Sequence, residues 1–358
     1  MVSFFALKKW AKSYNKSMLN KAVIDLKILS SNVKNIKKRL NKNQKFCAVV
    51  KANAYGHGAS EIANALYSEC DYYAVALVEE GVELRLSGID KDILVLTPPT
   101  LGDIDIGVRY RLTFAVDSHD ILNSIIHSSQ VQHLKSKIHL KFNSGMNRFG
   151  VDDLKELDSL AQKVVNSKHL YLDGMFSHLH CPQNKKYANN ACNKFLLANN
   201  LIKGYNSRAI CHLEASGGFL SGVKTDMARL GLLLYGYKPF ESDYITVKPI
   251  MKVYAPVIKN RTLKKGENCL YSEYQTSEEQ EISLVRFGYA DGLFRRQVFG
   301  QVNNRCMDAT AINSKNIKIT KYGALIMDDA SVLASEYDTI PYEILSKITM
   351  RAQKIYLR

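Results

Sequence analysis

The feature that most limits the possible folds is a series of short apolar segments that recur between residues 46 and 235. Each has the length of a strand buried in a parallel sheet, and most are separated by segments with helical spacing, such as SEIANALYSE and DDLKELDSLAQKVV. Strands alternating with helices in this number predict an α/β protein with a TIM-like (β/α)8 barrel. The predicted strands are Phe46–Val50, Tyr72–Leu77, Asp92–Leu96, Leu112–Val116, Ile138–Phe142, Leu172–Phe176, Ile210–Leu213 and Met227–Leu230.

The pattern of apolar and polar residues changes after about residue 243. Short β-rich runs, among them ITVKPIMKVYAPVI, EISLVRFGY and IKITKYGALIM, are separated by polar turns and predict a second, mainly β domain. We therefore divide the chain into an N-terminal extension at 1–20, a barrel domain at 21–242 and a C-terminal β domain at 243–358.

Composition narrows the class of protein. The net charge is +15, but the lysines are spread along the chain with few aromatic residues between them, so charge is the only feature that favours nucleic-acid binding. The 7 cysteines form no CxxC pair and indicate a reducing compartment. No apolar run approaches the ~20 residues of a membrane span, and the N-terminal charges follow the short apolar patch, unlike a secretory signal. We expect a cytoplasmic protein.

Several chemically capable residues fall at the predicted C-terminal ends of the barrel strands, where enzymes of this fold place their active sites. The set combines a lysine with arginines, a histidine, a serine and glycine-flanked amide groups, which suits an anionic ligand that carries a carbonyl group. In chain order these residues are Lys51, Arg148, His178, Ala215–Ser216, Arg229 and Gly231.

Each of these features has a more ordinary explanation when it is taken alone. A lysine at a strand end is usually a surface residue, and an isolated histidine such as His212 is usually a core residue. Small-residue stretches such as ASGG and GYADG also mark plain turns. The SHLHC stretch has no third ligand at a familiar spacing, so no metal site is predicted.

Taken together and in order, the motifs resemble those of the alanine racemases, fold-type III pyridoxal-phosphate enzymes built from a barrel and a β domain. The motifs are AVVKANAYGHG, NSGMNRFG, GMFSHLH, HLEAS, MARLGLLLYG, GYADG and RCMD, and the resemblance runs from about residue 22 to the C-terminus. It implies an isomerase that interconverts L- and D-alanine and supplies D-alanine for the peptidoglycan of the cell wall.

The resemblance implies two catalytic bases, one on each face of the substrate. Lys51 would hold pyridoxal 5'-phosphate through its amine and act as the first base. Tyr289, in GYADG, would be the second base and would come from the partner subunit, which implies a homodimer with shared active sites.

The resemblance also implies the residues that bind the cofactor. They are Tyr55, Ser216 and the backbone amides of Gly231 and Leu232 at the phosphate, His178 against the ring, Arg148 near the phenolic oxygen, and Arg229 at the ring nitrogen.

Substrate-binding and supporting roles follow from the same resemblance. Arg148 and the backbone amide of Met307 would bind the substrate, with Met307 supplied by the partner subunit. His212 would orient Tyr289, while Lys141, carbamylated in some members of the family, would support Arg148. Asp308, in RCMD, is a further supporting residue.

Some positions depart from the family pattern. Asn143 and Asn147 replace an acid and a glycine beside Arg148, Ala215 stands where many members have asparagine, and Met350 replaces a tyrosine. We expect alanine to be the main substrate and serine a weaker one. Two alternatives stay open: a racemase of broader specificity with the same fold, and a non-catalytic pyridoxal-phosphate homeostasis protein, a class that lacks the β domain.

Overall fold

The structure is a computed structural model that describes residues 19–271, 275–295 and 305–358. Most of the predicted N-terminal extension lies outside the described residues. The chain divides into two compact units, one formed by Lys27–Pro249 and the other by Ile250–Arg358 together with the residues up to Leu26.

The first unit contains an eight-stranded parallel sheet in which neighbours along the chain are neighbours in space. Its last strand along the chain pairs with its first. Backbone hydrogen bonds from Asp226 N to Cys211 O (3.1 Å) and from Arg229 N to Glu214 O (3.2 Å) join the region of the last strand to that of the strand before it. The predicted fold class is confirmed. The strands are β2 (Lys45–Val49), β3 (Tyr72–Val75), β4 (Asp92–Val95), β5 (Thr113–Val116), β6 (Ser136–Lys141), β7 (Leu170–Phe176), β8 (Ile210–His212) and β9 (Met227–Leu230), after β1 (Lys21–Asp25) of the other unit.

Helices connect the successive strands and cover the sheet. In the helix at Leu154–Asn166, the buried residues Leu157, Leu160, Ala161 and Val164 have the spacing of one helical face, and Asp153 caps its N-terminus by accepting from Glu156 N at 2.8 Å. The helices of this part are α1 (Leu26–Lys37), α2 (Ala59–Ala65), α3 (Val78–Leu86), α4 (Ile104–Arg109), α5 (His119–Val131), α6 (Leu154–Asn166), α7 (Lys185–Tyr205) and α8 (Ser216–Leu220).

The second unit is mainly β. β1 pairs antiparallel with Met251–Ala255 and parallel with Gln353–Leu357, so a strand that sequence reasoning did not predict joins the start of the described chain to its end. A five-stranded and a three-stranded sheet result. The remaining elements are β10 (Met251–Ala255), β11 (Val257–Leu263), β12 (Gln280–Val285), β13 (Thr310–Asn313), β14 (Ile319–Thr320), β15 (Gly323–Met327), α9 (Ala330–Glu336), α10 (Pro341–Lys347) and β16 (Gln353–Leu357).

The described part of the chain contains no candidate for a membrane-spanning helix. None of its helices is both long enough and apolar enough to span a bilayer.

Candidate active site

Lys51 lies two residues beyond the C-terminal end of β2 and is half-buried. Burial lowers the pKa of its ammonium group, the cationic Arg148 and Arg229 lower it further, and the Glu80 carboxylate opposes them. A lysine in these surroundings loses its proton more readily than one in water. Its amine can therefore serve as a nucleophile and as a base.

The backbone directly after Lys51 adopts the left-handed helical conformation. Residues 52–55 are four consecutive non-glycine residues, and their φ angles lie between 50° and 53°. A left-handed conformation costs about 1–2 kcal/mol per residue, so other contacts must hold this segment in place. The sequence KANAY gave no indication of this turn, because alanine and tyrosine have no preference for positive φ.

Two side chains that sequence reasoning missed hold the left-handed segment. Glu80 Oε1 accepts a hydrogen bond from the backbone N–H of Ala52 at 2.6 Å. The buried His57 places Nδ1 2.8 Å from Ala54 O and 3.0 Å from Tyr55 O, and because both partners are carbonyl oxygens, Nδ1 must carry the proton and donate. The segment is thus fixed at its start and at its end.

Aromatic packing places Tyr55 against Gly231. The Tyr235 ring stacks on His57 with centroids 4.4 Å apart and tilts against Tyr55 at 5.0 Å, while its hydroxyl donates to Val49 O at 2.9 Å. A Cβ atom at Gly231 would lie 2.6 Å from the Tyr55 hydroxyl oxygen, so this close approach requires glycine. The structure brings together two of the residues predicted to bind phosphate.

The other predicted phosphate-binding residues follow the last two barrel strands. Ser216 is buried and begins the short helix α8, and Leu232 is buried immediately after Gly231. Ala215 occupies the N-cap position of α8 and has no side-chain oxygen to accept a bond from the first helical amides.

Arg229 is a buried cation with its donors directed at fixed acceptors. One terminal nitrogen donates to His212 Nδ1 and to His212 O (3.1 Å), and the other donates to Ser177 O (2.7 Å) and Leu213 O (3.2 Å). Burial lowers the pKa of the guanidinium to about 10, which still leaves it protonated at neutral pH. Arg229 therefore holds a positive charge at a fixed place in the barrel.

A buried chain of hydrogen bonds continues from Arg229 across the barrel. His212 Nε2 lies 2.8 Å from His139 Nδ1, His139 Nε2 lies 3.0 Å from Asp173 Oδ2, and the Tyr72 hydroxyl donates to the same carboxylate oxygen. Arginine can only donate and a carboxylate can only accept, so each histidine carries its proton on Nε2. Every bond in the chain then points from Arg229 toward Asp173.

This chain shows which groups the His212 ring contacts in the barrel. Its two ring nitrogens lie against Arg229 and His139. The role of His212 in orienting Tyr289 stays a prediction. Burial first, and the neighbouring cations second, lower the pKa of His212 well below its ordinary value and keep the ring neutral.

We predict that Asp173→Asn destabilises the fold in a pH-dependent way. Burial raises the pKa of Asp173, but hydrogen bonds from His139 and Tyr72 outweigh it and lower the pKa from 3.8 to about 2. The carboxylate therefore adds about 2 kcal/mol to the free energy of unfolding above about pH 4, and this gain disappears as the pH falls toward 2. Denaturant titrations of the wild type and the variant between pH 3 and pH 7 measure the difference.

The matched control is Asp158→Asn, which removes a carboxylate that accepts from Tyr205 at 2.7 Å on the surface. Because solvent can replace that bond, we expect a change below about 1 kcal/mol. Equal losses for the two variants, or a loss for Asp173→Asn that does not shrink at low pH, would contradict the buried chain.

His178, Lys141 and Arg148 are the other basic residues predicted for the site. Burial, followed by the charges of Arg229 and Lys141, lowers the pKa of His178 well below its ordinary value, so its ring is neutral. Lys141 is buried with Nζ 4.0 Å from the Phe176 ring centroid, and burial and neighbouring arginines lower its pKa as well. Arg148 is exposed on the loop after β6. Among these groups, the exposed Arg148 guanidinium can bind an anionic ligand.

Two departures from the family pattern have local explanations. Asn147 has φ 57°, and asparagine tolerates this left-handed conformation where relatives use glycine. The Asn143 amide donates to Asn147 Oδ1 (3.0 Å) and Asp152 Oδ1 (2.6 Å), and its oxygen accepts from Gly145 N (3.1 Å). The loop that carries Arg148 is thereby held together without the acid that is usual at residue 143.

The second unit places Tyr289 beside Met307. Tyr289 N donates to Cys306 O at 3.1 Å, and the next amide donates to Met307 O at 2.9 Å. Their side chains are 37% and 54% exposed. Asp308 pairs with Arg351 at 2.8 Å, beside the exposed Met350. The GYADG and RCMD motifs therefore form one surface that a neighbouring molecule can reach.

Comparison with known proteins decides the family. The model of the alanine racemase N-terminal domain matches residues 24–239, and that of the alanine racemase C-terminal domain matches residues 250–356. The chain belongs to the alanine racemase family. A curated alanine racemase of Treponema denticola is 31% identical and aligns with 94% of this chain and 98% of its own length. One from Aquifex aeolicus is 29% identical, with coverage of 92% and 98%.

Solved structures of the family have the same architecture. The alanine racemase of Clostridium difficile 630 superposes with a TM-score of 0.88 at 28% identity and covers 95% of this chain and 96% of its own. The alanine racemase of Bacillus anthracis, solved with bound L-Ala-P, gives a TM-score of 0.83 at 27% identity and covers 95% of both chains. The likeness thus includes both the barrel and the β domain.

Proposed function

We propose that this chain is an alanine racemase that interconverts L- and D-alanine with pyridoxal 5'-phosphate bound at the C-terminal end of the barrel. The observation that carries the proposal is Lys51, an amine whose burial and neighbouring arginine charges favour its neutral form, at the start of a left-handed turn that leads to Tyr55. D-alanine made in this way would serve peptidoglycan synthesis.

The residues present fit this cofactor. Its aldehyde needs a neutral amine, and its dianionic phosphate needs donors and positive charge. The amine is Lys51, and the phosphate donors are the Tyr55 hydroxyl, Ser216 and the amides of Gly231 and Leu232. A Cβ at Gly231 would lie 2.6 Å from the Tyr55 hydroxyl oxygen, so glycine at this position lets the Tyr55 hydroxyl lie against the backbone whose amides would donate to the phosphate.

Pyridoxal phosphate, when bound, supplies an electron sink that makes the Cα proton of an attached amino acid acidic. Arg229 would face its ring nitrogen, and because a guanidinium only donates, that nitrogen would not gain a proton of its own. His178 would lie against the ring as a neutral, flat side chain. Holding the ring nitrogen unprotonated makes the electron sink weaker, which favours rapid return of a proton over side reactions.

Two side chains of this sequence would exchange the Cα proton. Lys51 Nζ removes or returns it on one face of the substrate. Tyr289 of a second copy of the chain acts on the other face, which makes the functional unit a homodimer. The exposure of Tyr289 and its backbone bond to the RCMD motif support this, since both elements can meet a partner together.

The substrate carboxylate would be bound by Arg148 and by the backbone amide of Met307. Lys141 would support Arg148, and its depressed pKa is consistent with carbamylation, because a neutral amine is the form that reacts with carbon dioxide. A carbamate at this buried position would carry a negative charge close to Arg148 and Arg229. Asp308, which pairs with Arg351, would hold the Met307 segment.

We also propose that the protein works in the reducing environment of the cytoplasm, which its seven unpaired cysteines favour. Retention of the β unit with Tyr289 argues against a non-catalytic homeostasis protein. A broader substrate range is the remaining alternative. Met350 favours it, because a thioether stands where a tyrosine would reach toward the substrate.

The test is a racemase assay of the purified chain with a panel of amino acids, combined with an absorbance spectrum before and after borohydride. We expect pyridoxal phosphate to be fixed to Lys51 after reduction, as found by peptide mapping, and alanine to be racemised faster than serine. If the reduced adduct forms on Lys51 but the free amino acids lysine or arginine are racemised faster than alanine, the result would favour the enzyme of broader specificity. A colourless chain that takes up no cofactor would refute the proposal.

A further inference from the structure

Glu80 connects two neighbouring loops of the barrel through one carboxylate. Its Oε2 accepts from the backbone N–H of Ala76 (2.7 Å) and of Leu77 (3.1 Å), and its Oε1 accepts from the N–H of Ala52 (2.6 Å). The first two bonds cap the start of α3, an ordinary role for an acid in the first helical turn. The third reaches a residue 28 positions earlier in the chain and plays no part in that cap.

The third bond acts on the backbone that positions Lys51. The Ala52 N–H belongs to the planar peptide unit that joins Lys51 to Ala52, so a fixed acceptor on this N–H fixes the orientation of the whole unit. The same unit begins the strained left-handed segment at residues 52–55. Loss of the acceptor would leave a left-handed residue without the contact that compensates its strain.

The charge of Glu80 acts on Lys51 as well. The charged and titratable groups that face the lysine are Arg148 from the loop after β6, Arg229 from β9, Glu80 from α3 and, after β7, His178, whose own pKa Lys51 helps to lower. Burial and the two arginines lower the pKa of Lys51, and the Glu80 carboxylate raises it. Glu80 is the acidic group that balances the cations of the site.

We propose that Glu80 is a positioning residue for Lys51, which fixes the orientation of the Lys51–Ala52 peptide unit through its hydrogen bond to the Ala52 N–H. This inference rests on the proposed function, since it assigns to Glu80 a role in presenting Lys51 to pyridoxal phosphate. Glu80 itself touches neither substrate nor cofactor in this scheme.

Two variants separate position from charge, and a third is the matched control. Glu80→Gln keeps the length of the side chain but loses its charge and the ability to accept at both ends. Glu80→Asp keeps the charge but is one methylene too short to bridge the two loops. Glu79→Gln removes an equal charge from the adjacent, exposed position of the same helical turn.

The measurement is the rate at which the cofactor-free chain takes up pyridoxal phosphate between pH 6 and pH 10, followed by absorbance, with racemisation of alanine as a second readout. For Glu80→Gln we expect the midpoint of the pH profile to move to lower pH, because loss of the carboxylate favours the neutral amine. Its limiting rate should fall about tenfold, because the amine is misplaced. Glu80→Asp should keep the midpoint and lose rate, and Glu79→Gln should change neither.

A midpoint and a limiting rate in Glu80→Gln equal to those of Glu79→Gln would overturn the inference while leaving the proposed function intact. If Glu80→Gln fails to fold, as judged by circular dichroism, Glu80→Asp decides: a limiting rate equal to that of the control overturns the inference, and a lower one supports it. A wild-type chain that takes up no pyridoxal phosphate would overturn the proposed function and this inference together.

Discussion

Lys51→Ala is expected to abolish racemisation, with a loss of roughly ten-thousand-fold or more in kcat. The variant loses the amine that would bind pyridoxal phosphate and also the base on one face of the substrate. The neighbouring Arg148 and Arg229 cannot replace it, because a guanidinium group is a donor and a poor base. Interconversion of the alanine enantiomers, measured with each enantiomer as the starting material, gives the result directly.

The control for this substitution is Lys45→Ala, at the opposite end of the same strand. Lys45 is exposed, and the N-terminal end of a barrel strand contributes to stability and not to catalysis. We expect this variant to keep its activity. A Lys51→Ala chain that retained more than about one hundredth of wild-type activity would show that the amine is not an essential base.

The barrel could be predicted from the sequence because its strands are buried on both faces. A strand such as Thr113–Val116 is completely buried, and all of its residues after Thr113 are apolar, so it can be recognised without any partner. Lys51 and Arg229 could be predicted for a related reason, because charged residues within or directly after such apolar strands stand out. The predicted roles of these residues in catalysis remain predictions.

The parts that could not be predicted depend on contacts between distant residues. β1 is a strand only because Met251–Ala255 and Gln353–Leu357 pair with it on either side. The chain from Arg229 to Asp173 brings together side chains from different strands, and His139 and Asp173 alone have no motif that would mark them. His57 was visible within YGHG, but its role depends on the left-handed backbone that it supports, which no local preference indicates.

Tyr289→Phe is expected to reduce racemisation by roughly a hundred- to ten-thousand-fold while leaving cofactor binding unchanged, because only the hydroxyl that exchanges a proton is lost. The two-base scheme also predicts how each enantiomer exchanges its Cα proton. With Lys51 intact, one enantiomer of alanine should still exchange its Cα proton for deuterium in heavy water without inversion, and the other should not. Exchange of both enantiomers at equal rates would show that a single base serves both faces.

A mixture of the two inactive variants tests whether the active site is shared between subunits. In a dimer that combines one Lys51→Ala chain with one Tyr289→Phe chain, one site receives both defects and the other receives Lys51 and Tyr289 intact. Random exchange of subunits makes about half of the dimers mixed, so about a quarter of wild-type activity should return after the variants are unfolded and refolded together. If Lys51 and Tyr289 of the same chain formed each site, every site would lack one base and the mixture would stay as inactive as its parts.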